Sequence, residues 1–136
     1  VDRPNEYYVV IEALPRFEPV GTVGIYDVDV VDESAEWGRW IVLPGSLAAL
    51  ESAWLTYRCG FELLGLEELF CRTVAENEAV VSFHNSIGLE GEPLPGHFDL
   101  GAGPVDAIEH RMSRESWSQV SPRLERLVTR LGAKND

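Results

Sequence analysis

The chain opens with a run in which apolar residues occupy both alternate positions. Over residues 7–13 this pattern predicts a sheet strand buried on both faces. The stretch from Leu14 to Pro19 carries two prolines and predicts a turn. A longer strand is expected over residues 20–30, with Gly21 and Gly24 allowing a bend or bulge. Asp32, Glu33 and Ser34 form the next turn. Residues 35–43 predict a third strand, whose alternation puts Glu36, Trp40 and Val42 on one face and Trp37, Arg39 and Ile41 on the other. These three strands fit an antiparallel meander.

The period then changes. Leu47, Leu50, Trp54, Tyr57, Phe61 and Leu64 recur at three- and four-residue steps, which predicts an amphipathic helix over residues 47–64. Ser46 suits its N-cap, and Gly65 sits where a C-cap glycine belongs. Residues 68–75 predict a strand that the helical connection makes parallel to the third. Asn77 opens a second helix, closed by Gly88, whose buried face is expected to carry Val80, Phe83 and Ile87. Residues 90–103 are rich in Gly, Pro and acids and predict a loop, with a strand at most near 97–100. A last strand follows over residues 105–112. Ser113 then resembles a capping residue for a C-terminal helix marked by Trp117, Val120, Leu124, Leu127 and Leu131, which Pro122 is expected to kink or delay.

Composition narrows the class. The chain has 136 residues, 45% of them hydrophobic, enough for one domain with a single core. With 23 acidic and 11 basic residues the net charge is −12, so a nucleic acid partner would be repelled, whereas a neutral or cationic partner would not. No apolar run approaches the roughly 20 residues of a membrane span. No secretory signal pattern opens the chain, and a cytoplasmic location is the expectation. Cys59 and Cys71 form no disulfide framework and read as apolar thiols. His97 and His110 lack metal-ligand spacing, so no metal is expected.

Three lines of sequence carry a family resemblance. They are Val20-Gly-Thr-Val-Gly24, Glu36-Trp-Gly38-Arg-Trp-Ile-Val42, and Asn77 with His84, Gly88 and Leu89, spaced along an element order β-β-β-α-β-α-β-β. In this order they resemble the GNAT superfamily of N-acetyltransferases, over about residues 7–112. The similar branch contains ribosomal-protein N-terminal, antibiotic and amino-sugar-nucleotide acetyltransferases. The resemblance implies an α+β fold: a mixed, mostly antiparallel sheet with a splayed parallel strand pair, flanked by helices. It also implies that acetyl-CoA lies in the splay and gives its acetyl group directly to an amine-bearing substrate.

The site residues implied are specific. Main-chain groups of Trp40, Ile41, Val42 and Leu43 would bind the pantetheine arm as an added strand does. Gly45, Ser46 and Ala48, at the start of the first helix, would receive the pyrophosphate. Asn77 would hold the pantetheine amides, although an Asn there also serves as an N-cap. His84 stands where the family commonly has a Tyr acid for the departing thiolate, and can donate a proton if its pKa is near neutrality. Glu36 is the base candidate, with Asp27 and Asp29 as alternatives. Two departures stand beside these matches. Residues 44–51 carry only one glycine and no basic residue where the family has a basic, glycine-rich phosphate loop. The chain also begins near the family's second strand, which suggests a fragment, or a wall supplied by another chain in a possible homodimer. The alternative reading is a non-catalytic acyl-CoA-binding or interaction module.

Overall fold

The computed structural model describes residues 5–43 and 48–135, the side chains of 132–135 excepted. Six strands form one sheet: β1 (Tyr7–Ala13), β2 (Glu18–Asp29), β3 (Ser34–Val42), β4 (Glu68–Val74), β5 (Gly91–Asp99) and β6 (Pro104–Ser113). Their order is β1-β2-β3-β4-β6-β5. Only β3 and β4 run parallel, joined across helix α1 (Ala48–Arg58). Helix α2 (Glu78–Ser86) links β4 to β5, and α3 (Arg114–Asn135) ends the chain. The mixed sheet with one parallel pair is the architecture the sequence predicts.

One core holds the molecule together. Val23, Ile25, Ala35, Trp37, Leu69, Cys71 and Met112 project from the sheet into a cluster with Ala53, Tyr57 and Phe61, Ile87, and Trp117 and Leu124 from the three helices. All three described helices therefore cover the same sheet face. The expected stripe on the first helix rotates slightly: Ser52, Ala53, Thr56 and Tyr57 are buried, while Leu50 and Trp54 are half-buried. Its last turn widens into a π-turn over Cys59–Leu63, closed by the Leu64 N–H on the Cys59 carbonyl at 3.0 Å. Gly60 is needed there, because a Cβ would fall 2.3 Å from Leu69 Cδ1. Gly65 then takes a left-handed conformation at φ +68°, as its C-cap position predicts.

Four expectations change. The first strand is not buried on both faces: β1 lies at the edge of the sheet, and Tyr7, Tyr8, Val9 and Val10 are exposed. The alternation along β3 breaks at Arg39, which adopts φ +49°. Between the pairs Thr22–Ile41 and Gly24–Gly38, β3 advances three residues while β2 advances two, so β3 carries a bulge. Trp40 consequently lies with Trp37 on the helix side, ring centroids 5.4 Å apart, and not beside Glu36. Residues 91–99 form a full strand and not a loop, because Pro93 and Pro95 lie in the edge strand β5, where a missing N–H costs no central rung. Finally, Pro122 does not delay α3. The Ser113 hydroxyl accepts the Ser116 N–H at 3.1 Å, and the helix runs through the proline.

Candidate active site

The parallel pair is stitched only at its base. Ser34, Ala35 and Glu36 pair with Glu68, Leu69 and Phe70, and pairing stops there although both strands continue. Beyond it opens a cleft of about 190 Å³ lined by Trp37, Trp40, Arg72, Thr73, Asn77 and His84, among others. The β3 rim offers main-chain groups to this space. The Leu43 N–H donates to the Val20 carbonyl at 2.7 Å, so ladder alternation turns the peptide groups of Val42 away from β2 and towards the cleft. Trp40 anchors the rim to α1 through its indole N–H, which donates to Ser52 Oγ at 2.9 Å. The side chains of Ile41 and Leu43 are exposed. Ala48 opens α1, while Gly45 and Ser46 lie outside the described residues.

Helix α2 brings two of the expected residues to the cleft. Asn77 caps it, its Oδ1 accepting the Val80 N–H at 3.4 Å, and Asn77 also lines the cleft wall. His84 is 1% exposed. Trp37, Trp40, Phe83 and His110 surround its ring, at centroid distances of 5.5, 6.1, 5.5 and 5.0 Å. Its Nε2 lies 3.5 Å from Cys71 Sγ, and its Nδ1 has no hydrogen-bond partner. Burial, with a smaller contribution from His110, pushes its pKa down to about 4. Burial likewise pushes the Cys71 thiol up to about 12. At neutral pH the pair is therefore an uncharged imidazole beside a thiol. His84 can offer a hydrogen bond but carries no ionised proton to give, which replaces the near-neutral acid expected from sequence.

That burial has a measurable cost. An unfolded His takes up its proton near pH 6.5 and the folded one only near pH 4, so between these values the unfolded state binds more protons. Stability linked to His84 is complete above pH 6.5 and is lost as the pH falls. Urea midpoints are expected to drop by the equivalent of roughly 2 kcal/mol between pH 7 and pH 5. His84→Leu should remove most of that slope. An unchanged slope in the variant would assign the acid sensitivity to other groups.

The opposite face of the sheet carries a layer of charges and rings, and among the described residues no helix covers it. Glu36 is 9% exposed. The Tyr26 hydroxyl donates to its Oε2 at 3.4 Å, and Arg72 Nη1 to its Oε1 at 3.5 Å. Burial raises the Glu36 pKa, with Arg72 pulling the other way without prevailing. Arg72 also bonds Glu109 at 2.9 Å, and Arg111 bridges Glu109 to Glu68. Arg39 lies over the rings of Tyr26 and Tyr8, 4.4 and 5.2 Å from their centroids.

The alternatives to Glu36 fall apart in space. Asp29 accepts the N–H groups of Val31 and Asp32 at 2.9 and 3.0 Å and so builds the β2–β3 turn. Asp27 is exposed on a second irregularity, at φ +53°. The structure brings His84, Asn77 and Trp40 together at the cleft, whereas Glu36, expected on one face with Trp40, lies on the opposite face of β3. Arg39, Arg72 and Tyr26, beside Glu36, are not among the residues expected at the site. Among the described residues no group of three or more His, Cys, Asp or Glu side chains is disposed to hold a metal, and no helix is long and apolar enough to cross a membrane.

Comparison with known proteins agrees with this geometry. Residues 2–90 match the family described as an acetyltransferase (GNAT) domain. No curated protein matches in sequence. Among solved structures, a chimera of spermidine N-acetyltransferase SpeG from Vibrio cholerae and hSSAT superposes with a TM-score of 0.76 at 19% identity, over 84% of this chain and 70% of that one. A dodecameric form of the Vibrio cholerae enzyme gives 0.75 at 20% identity, over 83% and 67%. Apo FdhC, a nucleotide-linked sugar GNAT, gives 0.76 at 29% identity, covering 90% of this chain but 65% of its own length. With two thirds of its residues inside the family match and the split strand pair in place, the chain belongs to the GNAT family and is an N-acetyltransferase.

Proposed function

We propose that this single domain transfers the acetyl group of acetyl-CoA to a primary amine of a small molecule, amino sugar or protein N-terminus by direct attack. The observation that carries the reading is the split between β3 and β4 after Glu36, which leaves main-chain groups on the β3 rim facing a cleft. The thioester substrate would pair with the backbone of Trp40, Ile41, Val42 and Leu43. Asn77 would meet its pantetheine amides, and Gly45, Ser46 and Ala48 its pyrophosphate. A rim N–H would stabilise the negative charge developing on the carbonyl oxygen.

The chemistry divides between the two faces of β3. The amine nitrogen attacks the carbonyl carbon, the C–S bond breaks, and the amine's surplus proton passes to Glu36, directly or through a water. His84, neutral, would steady the departing thiolate by a hydrogen bond. Self-assembly belongs to the same reading: Val9 and Val10 are exposed on the edge strand β1, beside an apolar groove of about 300 Å³. The dodecameric neighbour supports an assembled form.

Two measurements test the proposal. Acetyl-CoA at about 100 times its Kd should stabilise the protein by about 2.7 kcal/mol, read as a rise in Tm. Free thiol should then appear with an amine acceptor present. Stabilisation without thiol release from a broad amine panel would favour a non-catalytic acyl-CoA-binding module, and no stabilisation at all would end the proposal.

A further inference from the structure

We infer that Arg39 is an anion clamp of the acceptor pocket, so that the amine substrate carries a phosphate or carboxylate about one sugar ring away from its reacting nitrogen. This rests on the acetyl-transfer reading above with Glu36 as base. Arg39 occupies the β3 bulge in a left-handed conformation, φ +49°, which a non-glycine residue adopts at a cost. The bulge sends Trp40 to the helix side and Arg39 to the uncovered face, where its guanidinium rests on two stacked tyrosines whose centroids are 6.4 Å apart. Arg39 also lines the cleft with Arg72.

The rings position the guanidinium but use none of its five N–H donors in its plane. Among the described residues it has no carboxylate within ion-pair distance, in a chain whose acids outnumber its bases 23 to 11. Arg72, Arg111 and Arg114 each hold a glutamate. The clamp's distance from the base is set by Tyr26: the guanidinium lies over its ring, and its hydroxyl bonds Glu36. Gly38 makes this possible, because a Cβ there would meet the Tyr26 hydroxyl at 2.4 Å. Glu36, Glu109 and Glu68 are all engaged by arginines, while Asp27 and, across from Glu109, Glu92 are exposed. A polycationic amine would face two guanidiniums, Arg39 and Arg72, in the cleft lining. An anionic amine meets a bidentate donor.

The experiment compares kcat/KM for glucosamine, glucosamine 6-phosphate, an amino-sugar nucleotide diphosphate, a free amino acid and spermidine. At least one anionic acceptor should exceed its uncharged counterpart by about tenfold or more, and Arg39→Gln should raise its KM by about 10- to 100-fold while the Kd for acetyl-CoA stays put. Arg39→Lys should recover part of the loss. Arg16→Gln, which removes an equal charge on the distant β1–β2 turn, should keep the preference. Preference for spermidine, equal use of charged and uncharged acceptors, or a weakened acetyl-CoA Kd in Arg39→Gln would overturn the inference. A binding arm separates this from failure of acetyl transfer itself. In calorimetry on the CoA-saturated protein, glucose 6-phosphate should bind where glucose does not, and Arg39→Gln should abolish it. Binding without turnover sinks the enzyme reading and leaves the clamp standing. Turnover without charge preference does the reverse.

Discussion

Glu36→Gln is expected to lower kcat/KM for acetyl transfer about 10²- to 10⁴-fold, the loss that follows when a general base is removed. The substitution keeps size; its amide oxygen can still accept from Arg72 while its NH2 donates to the Tyr26 hydroxyl, and Arg72 retains Glu109 as a partner, so the fold should persist. The acetyl-CoA-induced rise in Tm should be unchanged, because Glu36 projects from the face of β3 away from Trp40 and His84. The pH dependence adds a second readout. Burial holds the Glu36 carboxyl above the ordinary glutamate range despite Arg72, and the base is competent only when ionised. Wild-type kcat/KM should therefore climb as pH rises through that raised value, and the climb should vanish in the Gln variant, leaving only the ionisation of the amine. A loss of less than about tenfold, with the limb intact, would remove Glu36 from the chemistry.

Trp117→Ala is expected to cost about 3–5 kcal/mol. Trp117 is buried at the start of α3 and stacks on Tyr57 and Phe61, with centroids 5.5 and 5.8 Å away, fastening the last helix to the first. Tyr57 in turn meets Trp37 edge-on at 5.3 Å, which carries the packing to the cleft floor. Such a loss would consume much of the roughly 5–15 kcal/mol that domains of this size possess. In urea unfolding the midpoint should fall sharply at constant slope, while Trp117→Phe should regain most of the difference. A change below about 1 kcal/mol would mean that α3 stabilises the core very little.

How much of this was legible depends on which forces write themselves locally. Caps and periods did. Asn77 and Ser113 cap helix starts through their side chains, Gly65 takes the left-handed turn that a residue without a Cβ allows, and the first helix packs close to the stripe that its apolar residues draw. The parallel pairing of β3 and β4 followed from the helical connection between them. What escaped was set by tertiary contact. Nothing in Gly38-Arg39-Trp40 states that Arg39 will take a positive φ, yet that one residue decides which face Trp40 and the arginine occupy. The prolines of β5 read as a loop because the sequence does not announce that the strand lies at an edge. The burial of His84 was not legible either, because it comes from Trp37, Trp40 and His110, contributed by strands distant in sequence. The arginine–glutamate layer around Glu36 joins residues up to 43 positions apart, such as Glu68 and Arg111, a separation no local window spans.

The three-pair seam at the foot of β3 and β4 has a structural corollary. Backbone hydrogen bonds join β3 and β4 only from Glu33, whose carbonyl accepts the Glu67 and Glu68 N–H groups, up to Glu36, so above that line, among the described residues, the two strands are held by side chains alone. If a pantetheine arm completes the ladder, the co-substrate becomes temporary scaffolding as well as reagent. Each catalytic cycle then ends with the enzyme dismantling a piece of its own framework, and letting CoA go is as much an architectural event as a chemical one.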